Sequence, residues 1–493
     1  MHPHRRQFVI GPQKFILNQF WKTHQIDDSK WLSYCSGLRV VQATDKDKRN
    51  WYILGFAIET NPQRASIEDG ITQATSDEVP ELCSAWAGRW LLVGREQLNL
   101  DASGLLGCFY GFDDSNQVWA SSSATLLAEI LFPDGRISVD NRKLSYEIGI
   151  SWYTPPRSRF TQISRLLPSQ VLDLESGKLE GKPLMPKISL DRDYEDVLGQ
   201  IQQILVTTLQ RIAQLSPELW LGLTAGYDSR LMLALSQTAG IKVKTFTRIA
   251  TRMSVADKVL PPQLARTCGY SHIFLHRYKR FPERQALVET HSGGQISTGD
   301  SEPFVRGDRD GLTGVAFGGH GFAIASGFYK LRELPATLDS ASTGAQQIAN
   351  LFQEPVNSTA TAGLQDWLEW VLEHPQPNLD WRDRFFIEQR QAGWLSTKEQ
   401  VYDLADLQRF PILNCAHLYS LLLSISEEKR LGSKIQAELI RKVCPDLTAY
   451  PFNPNDFYFG LLQLFTSKAK DLPGYVYGKT VTKFHYFLRS FTA

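Results

Sequence analysis

The sequence predicts an α/β fold in two parts: a strand-rich N-terminal part, then a parallel sheet flanked by helices. Three observations lead there. Short apolar runs of strand length mark the first part, at 51–58, 89–93 and 117–119. Helix-like and strand-like segments alternate beyond residue 195, and such alternation reads as a parallel sheet with helices on its faces. At 219–235 an apolar run passes through a short polar loop into a segment of good helix formers.

The elements follow in order. Between the two parts, Lys178-Leu179-Glu180-Gly181-Lys182-Pro183 and Pro186-Lys187 are polar and proline-bearing, as a linker is. That places a boundary within 178–194 and divides the chain into domains at 1–187 and 195–493. Ile201, Ile204, Leu205, Leu209 and Ile212 recur at helical spacing. Leu219-Trp220-Leu221-Gly222-Leu223 reads as a buried strand, and Asp228-Ser229 open the next helix after the loop Thr224-Ala225-Gly226-Tyr227. Val243-Lys244-Thr245-Phe246-Thr247 is a second strand, and Val315-Ala316-Phe317 runs into the turn Gly318-Gly319-His320-Gly321. Beyond about residue 365 the pattern is mainly helical, with Leu418, Leu421, Leu422 and Leu423 assigned to the core.

Composition narrows the function. At 493 residues two domains are expected. Apolar content of 42%, charged content of 21% and a net charge of +1 describe an ordinary globular chain. That balance gives no electrostatic case for nucleic acid or a membrane surface. The six cysteines form no Cys-x-x-Cys pair, so neither zinc nor a redox motif is indicated. The basic start, Met1-His2-Pro3-His4-Arg5-Arg6, has no apolar stretch behind it, and no run is long enough to span a membrane. A cytoplasmic enzyme is the expectation.

Chemistry concentrates at 223–229. Strand, small-residue loop and helix N-terminus make an anion cradle, because free backbone N–H groups and the helix dipole both favour negative charge. Ala225 and Gly226 let phosphate oxygens approach the backbone. Asp228 can hold a divalent cation, and Ser229 can donate to a phosphate oxygen. The ordinary alternative is that Asp228 or Ser229 simply caps the helix. No Gly-Lys-Ser/Thr follows, so the loop is not a Walker A motif.

Thr224-Ala225-Gly226-Tyr227-Asp228-Ser229 resembles the Ser-Gly-Gly-x-Asp-Ser pyrophosphate loop of the ATP-pyrophosphatase superfamily. The second strand, Asp257 at the next helix, and the Gly-rich turn at 318–321 follow in the order of the asparagine synthetase-like synthetase domain. Gly88–Val93, the 101–110 segment, Val118–Ser122 and the Leu-Pro turn at 166–168 resemble its class II glutamine amidotransferase-like partner. The resemblance implies an N-terminal α+β Ntn-hydrolase-like domain and an α/β adenine nucleotide α-hydrolase-like domain. It implies ATP and Mg2+, with β-lactam synthetases and lasso-peptide cyclases as relatives. The reaction it implies activates a carboxylate as an acyl-adenylate, releases pyrophosphate, and joins the acyl group to an amine as AMP leaves. Leu223, Thr224, Ala225, Gly226, Asp228 and Ser229 would hold the pyrophosphate, with Gly318 and Gly319 opposite. Phe246 and Arg248 would meet the adenine, and Asp228 would bind magnesium. Asp257 is either part of this site or a helix cap. Arg230 either reaches a phosphate or pairs with an acid on its helix.

Departures from the family pattern matter equally. His2 stands where an active glutaminase has its cysteine, and the first cysteine is Cys35, so glutamine hydrolysis is expected to be lost. The Gly-rich turn carries no acidic residue: His320 and Ala323 occupy those places. His320 is either a base for an amine nucleophile, with a pKa near 6.5, or a turn residue without a role. The 451–457 stretch lacks the family's lysine, leaving Lys434, Arg441 and Lys442 nearby as substitutes or as solvated surface cations. The expected function is an AMP-forming amide ligase in specialised metabolite, peptide or surface-glycan biosynthesis. Its substrates would be a small-molecule or peptide carboxylate and an amine, and its partner a second copy or a pathway protein. The alternative is a catalytically impaired nucleotide-binding homologue that regulates or scaffolds.

Overall fold

The computed structural model describes residues 2–455 except 95, 147–149, 251–252 and 332–333. The N-terminal part is a pair of six-stranded antiparallel sheets. One is built around Phe8–Gly11, Lys30–Cys35 and Val118–Ser121, the other around Asn50–Glu59, Trp86–Val93 and Gln97–Leu100. Strand alternation makes the layers. Phe8, Ile10 and Leu32 of the first sheet meet Leu54, Leu91 and Val93 of the second in one core. Val9, Phe109 and Trp119 face the other way and pack on the Ala124–Leu131 helix. Trp51, Ile53 and Trp90 on the second sheet's outer face pack against Ile67, Ile71 and Val79 of short helices. The result is helix, sheet, sheet, helix, the layering expected of an Ntn-hydrolase-like domain.

The C-terminal part holds a five-stranded, all-parallel sheet. Its order is His272–Leu275, Lys244–Arg248, Leu219–Gly222, Val315–Phe317 and Gln408–Phe410. The long Tyr194–Leu215 helix packs through the face its spacing predicts: Ile201, Ile204, Leu205, Leu209 and Ile212 are all buried. Asp193 caps it, accepting from the Asp196 N–H at 2.9 Å. Successive strands leave the central Leu219–Gly222 strand first on one side and then on the other. The reversal opens a crevice at the carboxyl ends of Leu219–Gly222 and Val315–Phe317, where open α/β sheets bind ligands.

Two expectations need correction. The polar 178–194 stretch is not linker throughout, because Leu179–Gly181 pairs with Gln170–Asp173 as a hairpin. Gly177, with φ of 72°, supplies the left-handed residue that closes it. The cap of the Val255–Thr267 helix is Ser254, whose Oγ accepts from the Asp257 N–H at 3.0 Å, so Asp257 is not the cap.

Buried polar contacts tie the two parts together. Arg89 pairs with Asp403 at 2.7 Å. The Asn414 amide donates to both Asp101 and the Gly88 carbonyl at 2.7 Å. The His4 N–H donates to His291 Nδ1 at 3.0 Å, and Arg5 pairs with Asp406 at 2.9 Å. His2 stacks on Phe20. All six cysteines are free thiols and all are buried. Among the described residues, no helix is long and apolar enough to cross a membrane.

Candidate functional site

Residues 222–229 form a self-satisfied loop at the carboxyl end of the central strand. The Thr224 N–H donates to Ser229 Oγ at 3.0 Å, and the two hydroxyls lie 2.9 Å apart. The Gly226 N–H donates to Thr224 Oγ1 at 3.2 Å. Asp257 accepts from the Ala225 N–H at 2.8 Å, so its carboxylate braces the loop from the neighbouring helix. The helix Tyr227–Thr238 therefore starts at Gly226, which has no side chain with which to cap it. Neither Asp228 nor Ser229 is the cap. Both stand inside the first turn, where N–H groups lack intrahelical acceptors and the dipole is positive.

The Gly-rich turn lies directly against this helix start. A Cβ on Gly319 would fall 2.5 Å from Asp228 Cβ and 2.7 Å from its carbonyl carbon, so only glycine permits the approach. Together the loop and the turn border a cavity of about 270 Å³, also lined by Phe246, Arg309, Glu399 and Arg409. Thr224, Asp228, Ser229, Phe246, Gly318, Gly319 and His320 all reach it. Leu223, Ala225, Gly226 and Arg248 are not in its lining. Leu223 and Ala225 are buried beneath the loop, and the Leu223 N–H is taken by the Phe246 carbonyl at 2.8 Å. The Arg248 guanidinium is engaged by Asp308.

Electrostatics set the ionisation of the two titratable groups. Burial pushes Asp228 up to about 6, against the pull of the Gln436 amide, which donates to Oδ1 at 3.0 Å. His320 lines the cavity and its side chain remains exposed to solvent there. Desolvation, then the positive charges of Arg409, Lys398 and Arg309, hold its imidazole well below the ordinary value. This corrects the expected pKa near 6.5, and His320 is neutral at pH 7. Arg409 is paired with Glu399 at 3.0 Å, while Arg309 lies over Phe246 and Tyr402 with its Nε bonded to nothing.

Arg230 takes neither role the sequence left open. Its buried guanidinium donates to the carbonyls of Ala225, Leu447, Tyr450 and Pro451, at 2.8 to 3.2 Å. It also lies 3.9 Å over the Phe452 ring, which stacks on Tyr227. These contacts strap 447–453 to the loop, and the Asn453 N–H donates to the Ala225 carbonyl at 3.3 Å. Of the 451–457 stretch, Pro451, Phe452 and Asn453 thus lie beside the loop, while residues 456–457 lie outside the described residues. Lys442 pairs with Glu195, and Lys434 donates to the Glu428 carbonyl. From the same Lys434–Val443 helix it is Gln436 that reaches Asp228. Ala323 sits in the short turn after the glycines and offers no ligand atom.

Sequence reasoning missed Arg309, Arg409 and Gln436. Arg409 carried no usable signal, since its strand, Gln408–Phe410, is three residues long and mostly polar. Arg309 and Gln436 carried none. Among the described residues no group of three or more His, Cys, Asp or Glu side chains is placed to hold a metal ion. Of the two carboxylates that line the cavity, Glu399 is committed to Arg409 and Asp228 is pushed towards its protonated form by burial, a donor set that does not fit a protein-held metal.

No family model and no curated protein matches the chain. Solved structures give remote matches. NMN synthetase from Francisella tularensis is 11% identical, with 48% of this chain and 95% of that one covered and a TM-score of 0.20. An allosteric regulatory enzyme of purine biosynthesis is 10% identical over 58% of this chain and 73% of its own, at a TM-score of 0.23. The glutamine phosphoribosylpyrophosphate amidotransferase of B. subtilis, complexed with ADP and GMP, is 11% identical over 72% and 74%, also at 0.23. At these scores the likeness is remote, and the site's own geometry carries the chemistry.

Proposed function

We propose that this chain is an ATP-dependent carbon–nitrogen ligase that releases AMP and pyrophosphate and takes no nitrogen from glutamine. One observation carries the reading: an uncapped helix N-terminus and a glycine turn meet at the sheet's ligand-binding edge, beside two arginines. The first-turn N–H groups, with the Thr224 and Ser229 hydroxyls, would receive the β- and γ-phosphates. Arg309 and Arg409 would neutralise further charge. The adenine would lie along the strand of Phe246 and Arg248.

In the first step a substrate carboxylate oxygen attacks the α-phosphorus, and pyrophosphate leaves. In the second an amine nitrogen attacks the acyl carbon, its proton passes to neutral His320, and AMP leaves. Magnesium, when bound, would offset phosphate charge, and since the protein offers it only Asp228 it would arrive on the nucleotide. The amine would come from the second substrate or free ammonia, because His2 replaces the glutaminase nucleophile. Substrates would be a small-molecule or peptide carboxylate and an amine.

A second reading is an impaired homologue that binds nucleotide for regulation or scaffolding. The absence of an acidic cluster among the described residues favours it, as does the Ala225 N–H already committed to Asp257. The two readings separate in one experiment. Calorimetry with ATP and magnesium measures binding, and chromatography of reactions with candidate carboxylates and amines measures AMP. The ligase reading expects AMP that disappears in Asp228→Ala. Binding without AMP supports the second reading, formation of ADP refutes the first, and absence of ATP binding refutes both.

A further inference from the structure

A second cavity, of about 520 Å³, lies in the N-terminal part on the outer side of the second sheet. It shares no lining residue with the cleft around Asp228. Its volume falls within the range of small-molecule sites, about 300–1,000 Å³. Trp90, Pro168, Pro183, Leu184 and Met185 supply apolar wall. Lys182 supplies a cation that forms no ion pair among the described residues, although the nearby Asp101 carboxylate favours its charge. Among the described residues its Nζ donates to neutral oxygens, Asn99 Oδ1 at 3.4 Å and the Leu100 carbonyl at 3.3 Å.

Two nearby groups that might have answered that charge are committed elsewhere or out of position. Asp101 lines the cavity, but its carboxylate already accepts from the N–H groups of Trp90, Ser103, Leu105 and Leu106 and from the Asn414 amide. Glu81 is exposed and forms no ion pair with Lys182 among the described residues. The Lys182 backbone is fixed on both sides, donating to the Ser169 carbonyl at 2.8 Å and accepting from Gln376 at 3.3 Å. Burial pushes its ammonium below the ordinary lysine value. The Trp90 indole N–H, also in the wall, has no acceptor. A desolvated ammonium is costly unless an anion pairs with it, so such a site favours a ligand that brings one.

We propose that this cavity binds a small monocarboxylate with an apolar body, its carboxylate on Lys182 and its body against Trp90, Leu184 and Met185. The apolar wall disfavours a phosphate or a sugar acid, whose polar surface would go unpaired there. This site does not depend on the ligase reading, because it lies outside the nucleotide cleft.

The test is calorimetric titration of the full chain with benzoate and hexanoate, against the neutral isosteres benzamide and hexanamide. Saturable carboxylate binding is expected, with the amides weaker by about tenfold or more, one lost charge pair. Lys182→Met, which keeps the apolar stem, is expected to lose the same factor, and Lys182→Arg to retain most binding. Nucleotide binding should be unchanged in both variants. If Lys182→Met does not fold, the wild-type contrast between acid and amide decides alone. Equal affinity for acid and amide overturns the proposal. So does unchanged benzoate binding in a folded Lys182→Met, or no saturable binding of either acid up to about 10 mM.

Discussion

Replacing Gly319 with alanine tests the joint between turn and helix, on which the cleft depends. The added methyl would lie 2.5 Å from Asp228 Cβ, 2.7 Å from its carbonyl carbon and 2.8 Å from its carbonyl oxygen. Two of these are backbone atoms of the helix's first turn, which cannot rotate away as a long side chain can. Either the turn or the helix start must move. Overpacking of this kind costs about 1–3 kcal/mol. For a domain of about 150–250 residues that is a fall in Tm of roughly 2–12 °C. Gly318→Ala is the control, because its methyl would meet nothing closer than His320 Nδ1 at 3.4 Å. Differential scanning calorimetry of the two variants gives the stability, and titration with ATP gives the site. Gly319→Ala should lose both stability and nucleotide binding, while Gly318→Ala keeps the stability. Equal melting temperatures for the two variants would refute the close approach and the cleft geometry built on it.

Two further perturbations follow from buried charge. Asp228 has its folded pKa raised to about 6 from 3.8 by burial, so its ionisation opposes folding. Its contribution is most favourable below pH 4 and is lost as pH rises through 6. Asp228→Asn should therefore stabilise the protein above pH 7, by up to about 2–3 kcal/mol, and the gain should vanish near pH 4. Urea denaturation across that pH range reads it, and a variant less stable than wild type at pH 8 refutes the account. Arg230→Met takes a donor from four carbonyls, of which Ala225 and Leu447 keep a second, and a buried polar group left unsatisfied costs about 1–3 kcal/mol. Urea denaturation should show that loss, together with faster proteolysis of the strapped 447–453 segment. A cost below about 1 kcal/mol would mean that the strap is held by other contacts.

Local pattern decided how much of this was legible in the sequence. The 219–235 run was readable because strand, loop and helix are contiguous and each carries its own signal. The 201–212 helix was readable because its buried face repeats at helical spacing. Glycines at 318, 319 and 321 marked the facing turn and brought His320 forward. The Gln408–Phe410 strand was invisible, being three residues long and mostly polar, as an edge strand can be. Arg309 and Gln436 lie far from the loop in sequence, and only tertiary packing brings them to the cleft. Arg230 shows the converse difficulty. Its position two residues after Asp228 suggests a phosphate ligand, but the helix turns it inward, where four backbone carbonyls take its terminal nitrogens.

The charges around the cleft bear on the nucleotide proposed for it. A carboxylate in the first turn of a helix is normally favoured by the dipole and titrates low. Asp228 titrates high, so burial outweighs the dipole there. His320 shows the opposite sign of shift, lowered by desolvation and by the charges of Arg409 and Arg309 in the cavity wall and of Lys398 beyond it. A resident divalent cation would pull Asp228 down, but it would also sit beside Arg309 and Arg409 with a single carboxylate to hold it. An entering anion relieves the arginines and the helix end, and it raises the affinity of His320 for a proton. It leaves Asp228 more strained unless it carries its own cation. The proposed polyphosphate, with magnesium already attached, would meet both demands, and neither partner alone would.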